Sequence, residues 1–188
     1  MDSKMINIII EALGQTIYMV FFSTLFASVL GFILGIIVTV TSPTGLRPNI
    51  FIYKSLDVII NVLRSFPFII LIVFIIPLTR AIVGTPIGET AAIVPLTIAA
   101  APFVARIIES ALKEAVPAII SGLTLTIINI IGYSAMAGSV GAGGLGKVAI
   151  SYGYQRYQTD VMIVTVIILI IMVQGLQSLG NYLYKKLS

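Results

Sequence analysis

Residues 17–40 run without a single charged side chain. A bilayer core is crossed by about 20 mainly apolar residues in a helix, so this stretch is long enough to span it with some tilt. The remainder of the chain is of the same kind: 59% of its 188 residues are hydrophobic and 10% are charged. Soluble domains carry roughly 25% charged residues, and so few charges cannot cover a water-exposed surface. The expected fold class is an all-α membrane protein with five transmembrane helices in one domain, 1–188. The spans are expected at about 17–40, 56–78, 89–108, 118–137 and 161–179. The second must include the turn holding Arg64, because residues 66–76 alone are too short to cross. The first is too long for a signal-peptide apolar region and has no convincing small-residue cleavage site, so it is expected to be retained.

Five spans put the termini on opposite sides. With the N-terminus outside, Arg47, Lys54, Arg106, Lys113, Lys185 and Lys186 lie inside and Lys4, Arg80, Lys147 and Arg156 outside. This excess favours an outer N-terminus and a cytoplasmic C-terminus. The net charge of +4 comes from scattered residues and does not point to nucleic acid. The chain has no Cys and no His, which removes thiolate and imidazole metal ligands and the commonest general base. No catalytic residue, metal or cofactor is expected. Asp57, Glu89, Glu109 and Asp160 all fall near span ends, whereas ion-coupled carriers hold ionisable groups well inside the membrane.

Gly122, Thr126, Asn129, Tyr133 and Met136 recur at helical spacing and share one stripe of the fourth span. Polar groups on one stripe face protein or water rather than lipid. They form either the lining or gate of a translocation pathway, with Met136 adapting to an apolar solute, or interhelical hydrogen bonds that hold the bundle together. Gln174, Gln177 and Asn181 form a similar stripe near the end of the last span, where packing is expected. Arg64, the deepest charge of the second span, either snorkels to the inner interface or meets a solute carboxylate or carbonyls freed by Pro67. The third span, with Ala99, Ala100, Ala101, Pro95 and Pro102, is expected to pack closely against its neighbours.

Residues 138–148 imitate nucleotide motifs. Gly141, Gly143 and Gly146 satisfy G-x-G-x-x-G, and residues 141–147 satisfy the start of a P-loop. The segment follows a membrane helix rather than a strand, and Val148 stands where a Mg²⁺-binding Ser or Thr belongs, so nucleotide binding is not expected. Gly138, Gly141, Gly143, Gly144 and Gly146 are expected instead to give a flexible outer reversal at a helix end, part of a gate.

Residues 64–71 (Arg-Ser-Phe-Pro-Phe-Ile-Ile-Leu), 121–126 (Ser-Gly-Leu-Thr-Leu-Thr), 131–138 (Ile-Gly-Tyr-Ser-Ala-Met-Ala-Gly) and the glycine loop through 152–156 (Tyr-Gly-Tyr-Gln-Arg) resemble the permease of bacterial methionine ABC importers. The likeness spans nearly the whole chain. It implies a five-helix type I importer permease in the bacterial inner membrane. Two copies form the pore, two copies of a cytoplasmic ATPase supply energy, and an extracytoplasmic methionine-binding lipoprotein delivers D- or L-methionine. In that setting the fourth-span stripe becomes the pathway lining.

The sequence departs from the family in one place. The family's cytoplasmic loop between the third and fourth spans carries Glu-Ala-Ala, then Gly, then a hydrophobic residue with Leu-Pro, and folds into a coupling helix on the ATPase. Here Glu109, Lys113 and Glu114 run straight into Pro117, and no Glu-Ala-Ala-x-x-x-Gly occurs. These four residues are the flanks of a shortened loop. The alternatives to an energised permease are therefore an internally deleted, uncoupled form of it and, from a different class, a passive channel or small secondary transporter.

Overall fold

The computed structural model describes the backbone of residues 3–114 and 116–187, with side chains described over 3–112 and 119–185. Among these residues it is helical and contains no strand. The elements are α1 (Ser3–Thr41), α2 (Ile50–Ser65), α3 (Phe68–Phe74), α4 (Ile76–Val83), α5 (Glu89–Glu114), α6 (Val116–Ser139), α7 (Gly144–Val148) with a π-helical continuation over Ala149–Tyr154, and α8 (Thr159–Leu187). Four helices are long and apolar enough to cross a membrane, and a fifth crossing is supplied if the bent pair α2–α3 forms one span.

α5 is the central post. In its most apolar window 72% of residues are buried, against 11% for α8, so α8 lies at the periphery of the single chain and exposes Ile163, Ile167, Ile170 and Ile171. The close packing expected of α5 takes a specific form. Gly31 and Gly35 of α1 sit so near it that a Cβ would come within 2.7 Å of the Ala101 carbonyl and 2.8 Å of the Ala105 carbonyl. Lipid tails supply no hydrophobic drive between helices, and small residues let backbones approach and gain dispersion contacts instead. Pro95 and Pro102 lie inside α5 without ending it.

Two spans differ from expectation. The first helix begins at Ser3 rather than near residue 17 and has 39 residues, roughly 58 Å at the α-helical rise. Lys4 and Glu11 do not end it, because its early turns bury Ile9, Ala12 and Thr16 against Leu145, Val148 and Val161. The second span, expected as one rod over 56–78, is broken. α2 and α3 meet at 110°, since Pro67 has no N–H to continue the ladder and holds Phe66 extended (φ −75°, ψ 123°). α2 itself starts on an Asn49 cap, whose Oδ1 accepts from the amides of Phe51 and Ile52 at 3.2 Å. At the other end of the bundle Gly84 (φ 85°) stops α4, and the Gly88 amide donates to the Gly141 carbonyl at 3.0 Å.

Candidate substrate pathway

The α6 stripe divides along its length. Gly122 lies against α5, where a Cβ would meet Ile107 at 2.6 Å. Thr126 is buried, and its hydroxyl donates to the Gly122 carbonyl at 2.9 Å. That bond lies within α6, so Thr126 does not tie helices together. Tyr133 is half-buried and stacks on Phe68 of α3, with ring centroids 4.7 Å apart and planes 14° apart. Asn129 and Met136 are exposed on the single chain. An exposed amide at membrane depth needs water or a further protein surface. The lower stripe and the broken helix are thus joined through the Phe68–Tyr133 stack.

Sequence reasoning missed a polar network on the same side of α2. Arg106 of α5 donates through Nη2 to an Asp57 carboxylate oxygen and, at 2.9 Å, to Asn61 Oδ1. Its Nη1 donates to Glu109 Oε2 at 2.7 Å, and Asn61 Nδ2 donates to Asp57 Oδ2 at 3.2 Å. The available signal was the i, i+4 pair Asp57 and Asn61 beside the i, i+3 pair Arg106 and Glu109, each on one helix face. Arg64 is exposed on the single chain. Its guanidinium lies 4.9 Å from the centroid of the Phe103 ring, a cation–π contact that reduces the cost of charge near the middle of α5. Of the expected loop flanks, Glu109 is buried and held by Arg106. The side chains of Lys113, Glu114 and Pro117 lie outside the described residues.

The glycine segment is packed, in contrast to the flexible reversal expected of it. Gly138, Gly143, Gly144 and Gly146 are buried and Gly141 is half-buried. A Cβ at Gly146 would overlap the Ala135 carbonyl, and one at Gly138 would overlap the Lys147 amide nitrogen. Gly141, Gly143 and Gly144 have φ of 97°, 93° and 72°, which places the turn where side-chain-bearing residues are strained. The amides of Gly144 and Leu145 donate to Gln15 Oε1 at 2.7 Å and Thr16 Oγ1 at 2.8 Å. Those are N–H groups a phosphate would require, so the resemblance to a nucleotide loop is formal: α1 occupies the donors. The α1 residues Gln15 and Thr16 had no sequence signal, because their role depends on a contact with residues more than a hundred positions away.

Comparison with known proteins places these features in a family. No family model matches the chain. A probable D-methionine transport system permease protein MetI from Vibrio cholerae is 44% identical over 207 aligned positions, covering 96% of this chain and 92% of that protein. The Escherichia coli D-methionine transport system permease protein MetI is 38% identical over 165 positions, covering 73% of this chain and 76% of that protein. Among solved structures, an inward-facing form of the MetNI methionine ABC transporter matches at TM-score 0.96 and 38% identity, over 100% of both chains. An amino acid ABC transporter at 18% identity shares the fold alone, at TM-score 0.77. The chain has the ABC importer permease fold and belongs to the MetI family of methionine transport permeases.

Proposed function

We propose that this chain is the membrane-embedded permease subunit of a methionine ABC importer in a bacterial inner membrane. It is a transport subunit and not an enzyme; ATP hydrolysis belongs to a separate subunit. The observation that carries the reading is the end-to-end likeness to the MetNI permease at TM-score 0.95 and 38% identity. The working unit is a pair of these chains with two cytoplasmic ATPase copies and an extracytoplasmic methionine-binding protein. The N-terminus lies outside and the C-terminus in the cytoplasm, a topology supported by the Lys and Arg distribution. Tyr133, Asn129 and Met136 line the pathway or its gate, supported by the exposure of Asn129 and Met136 and by the stacking of Tyr133 on Phe68 of the broken helix. Gly122 sets the spacing of α6 from α5, and Thr126 is buried on the same stripe.

A second reading rests on a specific observation. The alignment with the Vibrio relative extends over 207 positions while this chain has 188 residues, 96% of them aligned. An internal part of that relative therefore has no counterpart here. α5 ends at Glu114 and α6 begins at Val116, leaving no room for a separate coupling helix between them. If the missing part is the coupling loop, the chain folds as a permease that the ATPase cannot drive. Co-expression with the ATPase of a methionine importer, followed by purification and an uptake assay, separates the two. Bound ATPase with ATP-driven methionine uptake is expected of a working permease. A stable dimer that leaves the ATPase unbound supports the uncoupled form, and a chain that neither dimerises nor handles methionine contradicts both.

A further inference from the structure

The break between α2 and α3, a bent pair apolar enough to form one span, strips backbone carbonyls of their partners. Pro67 cannot donate, so the Leu63 carbonyl accepts instead from the Phe66 amide at 3.4 Å, and the Val62 carbonyl loses the amide that would have closed its turn. The carbonyls of Arg64 and Ser65 likewise receive no donor among the described residues. All three lie at the C-terminal end of a helix of 16 residues, the end at which the helix dipole is negative. Arg64 stacks on Phe103, near the middle of Glu89–Glu114, which sets the break level with the middle of α5. Lipid cannot satisfy such groups. Non-helical backbone at that depth is tolerated only against protein or a water-filled cavity.

The surroundings select a ligand. Asn61, Val62, Ser65, Phe66 and Pro67 line an open concavity of about 360 Å³. Its polar side chains are already engaged. Asn61 is held by Arg106 and Asp57, and the Ser65 hydroxyl donates to the Asn61 carbonyl at 2.8 Å. Val62 and Ser65, whose carbonyls lack a helical partner, are themselves part of this lining, beside the apolar surface of Val62, Phe66 and Pro67. A primary ammonium offers three donors and no acceptor, and broken membrane helices hold cations at their carbonyl ends.

We propose that the carbonyl end of α2 at Val62–Ser65 is a solute subsite that takes the α-ammonium of the transported amino acid and rests its side chain on Val62, Phe66 and Pro67. The subsite rests on the importer reading and gives its pathway a point of recognition. It is tested on the purified full chain in phospholipid nanodiscs, with radiolabelled L-methionine as the probe. The 2-hydroxy analogue of methionine, in which the ammonium is replaced by hydroxyl, is expected to compete about tenfold less well than methionine, the loss of one charged hydrogen-bonding group. Pro67→Ala, which restores an N–H and lets α2 continue, is expected to weaken methionine binding by a similar factor. The competition series needs no variant, so it stands even if Pro67→Ala fails to fold. Equal competition by the hydroxy analogue, unchanged binding in a folded Pro67→Ala, a requirement for sodium, or no methionine binding at all would each overturn the subsite. None of these results touches the importer reading, which stands or falls on ATP-driven uptake.

Discussion

The α1–α5–α7 region and the α2–α3–α4 region use opposite means to occupy a membrane. In the first, glycines bring backbones into contact, with Gly31 and Gly35 against α5 and Gly146 against the Ala135 carbonyl of α6. Polar groups there are paired within the chain, as Gln15 and Thr16 are with the amides of Gly144 and Leu145. In the second, the helix breaks at Phe66–Pro67 and the residues around the break are largely exposed. It is held to α5 by the Arg106 network, the Arg64–Phe103 contact and the packing of Phe68 and Leu71 into the core. The closed region can be complete in one chain. The open region cannot face lipid with its carbonyls uncovered, so it requires water or a further protein surface.

Two substitutions sharpen that contrast. Gly146→Val pushes a branched side chain into the Ala135 backbone, and neither α6 nor α7 can yield without losing the packed turn between them. A loss of about 3 kcal/mol is expected, at the top of the overpacking range, read as a lowered unfolding midpoint in detergent. Unchanged stability would mean the glycine contacts are not structural. Arg106→Leu leaves the buried Glu109 and the partly exposed Asp57 without their guanidinium, a cost of about 2 kcal/mol once the exposure of Asp57 is discounted. The damage is expected to be local, with α2 released from α5 while the α1–α5 contact persists. Hydrogen exchange over 50–65 is the check, and protection lost equally in both regions would erase the distinction between them.

Much of the closed region was legible from small residues in the sequence. The alanines at 99–101 and the glycines of 138–146 declare close approach, although the glycines equally permit a flexible turn. Which they serve depends on Gln15 and Thr16, and no local pattern reveals a partner that distant. The break was half-legible. Pro67 was visible, but the apolar stretch after it is too short to cross alone, and counting one span across the proline forced a straight rod. The α6 stripe was found as a periodicity, yet periodicity gives only an angle around a helix. It could not separate Thr126, turned inward and bonded to its own helix, from Asn129 and Met136, turned outward. Asp57 and Arg106 looked like ordinary charges near span ends until the fold brought α2 and α5 together.

The broken helix of this methionine permease is proposed to face a solute pathway. With no native cysteine in the chain, Ser65→Cys can be probed by a membrane-impermeant thiol reagent in inside-out vesicles, beside Ile170→Cys on the exposed apolar face of α8. Rapid labelling at position 65, slowed by methionine, with none at position 170, is the predicted result. Labelling at neither position, or labelling at 65 that methionine leaves unchanged, would contradict it.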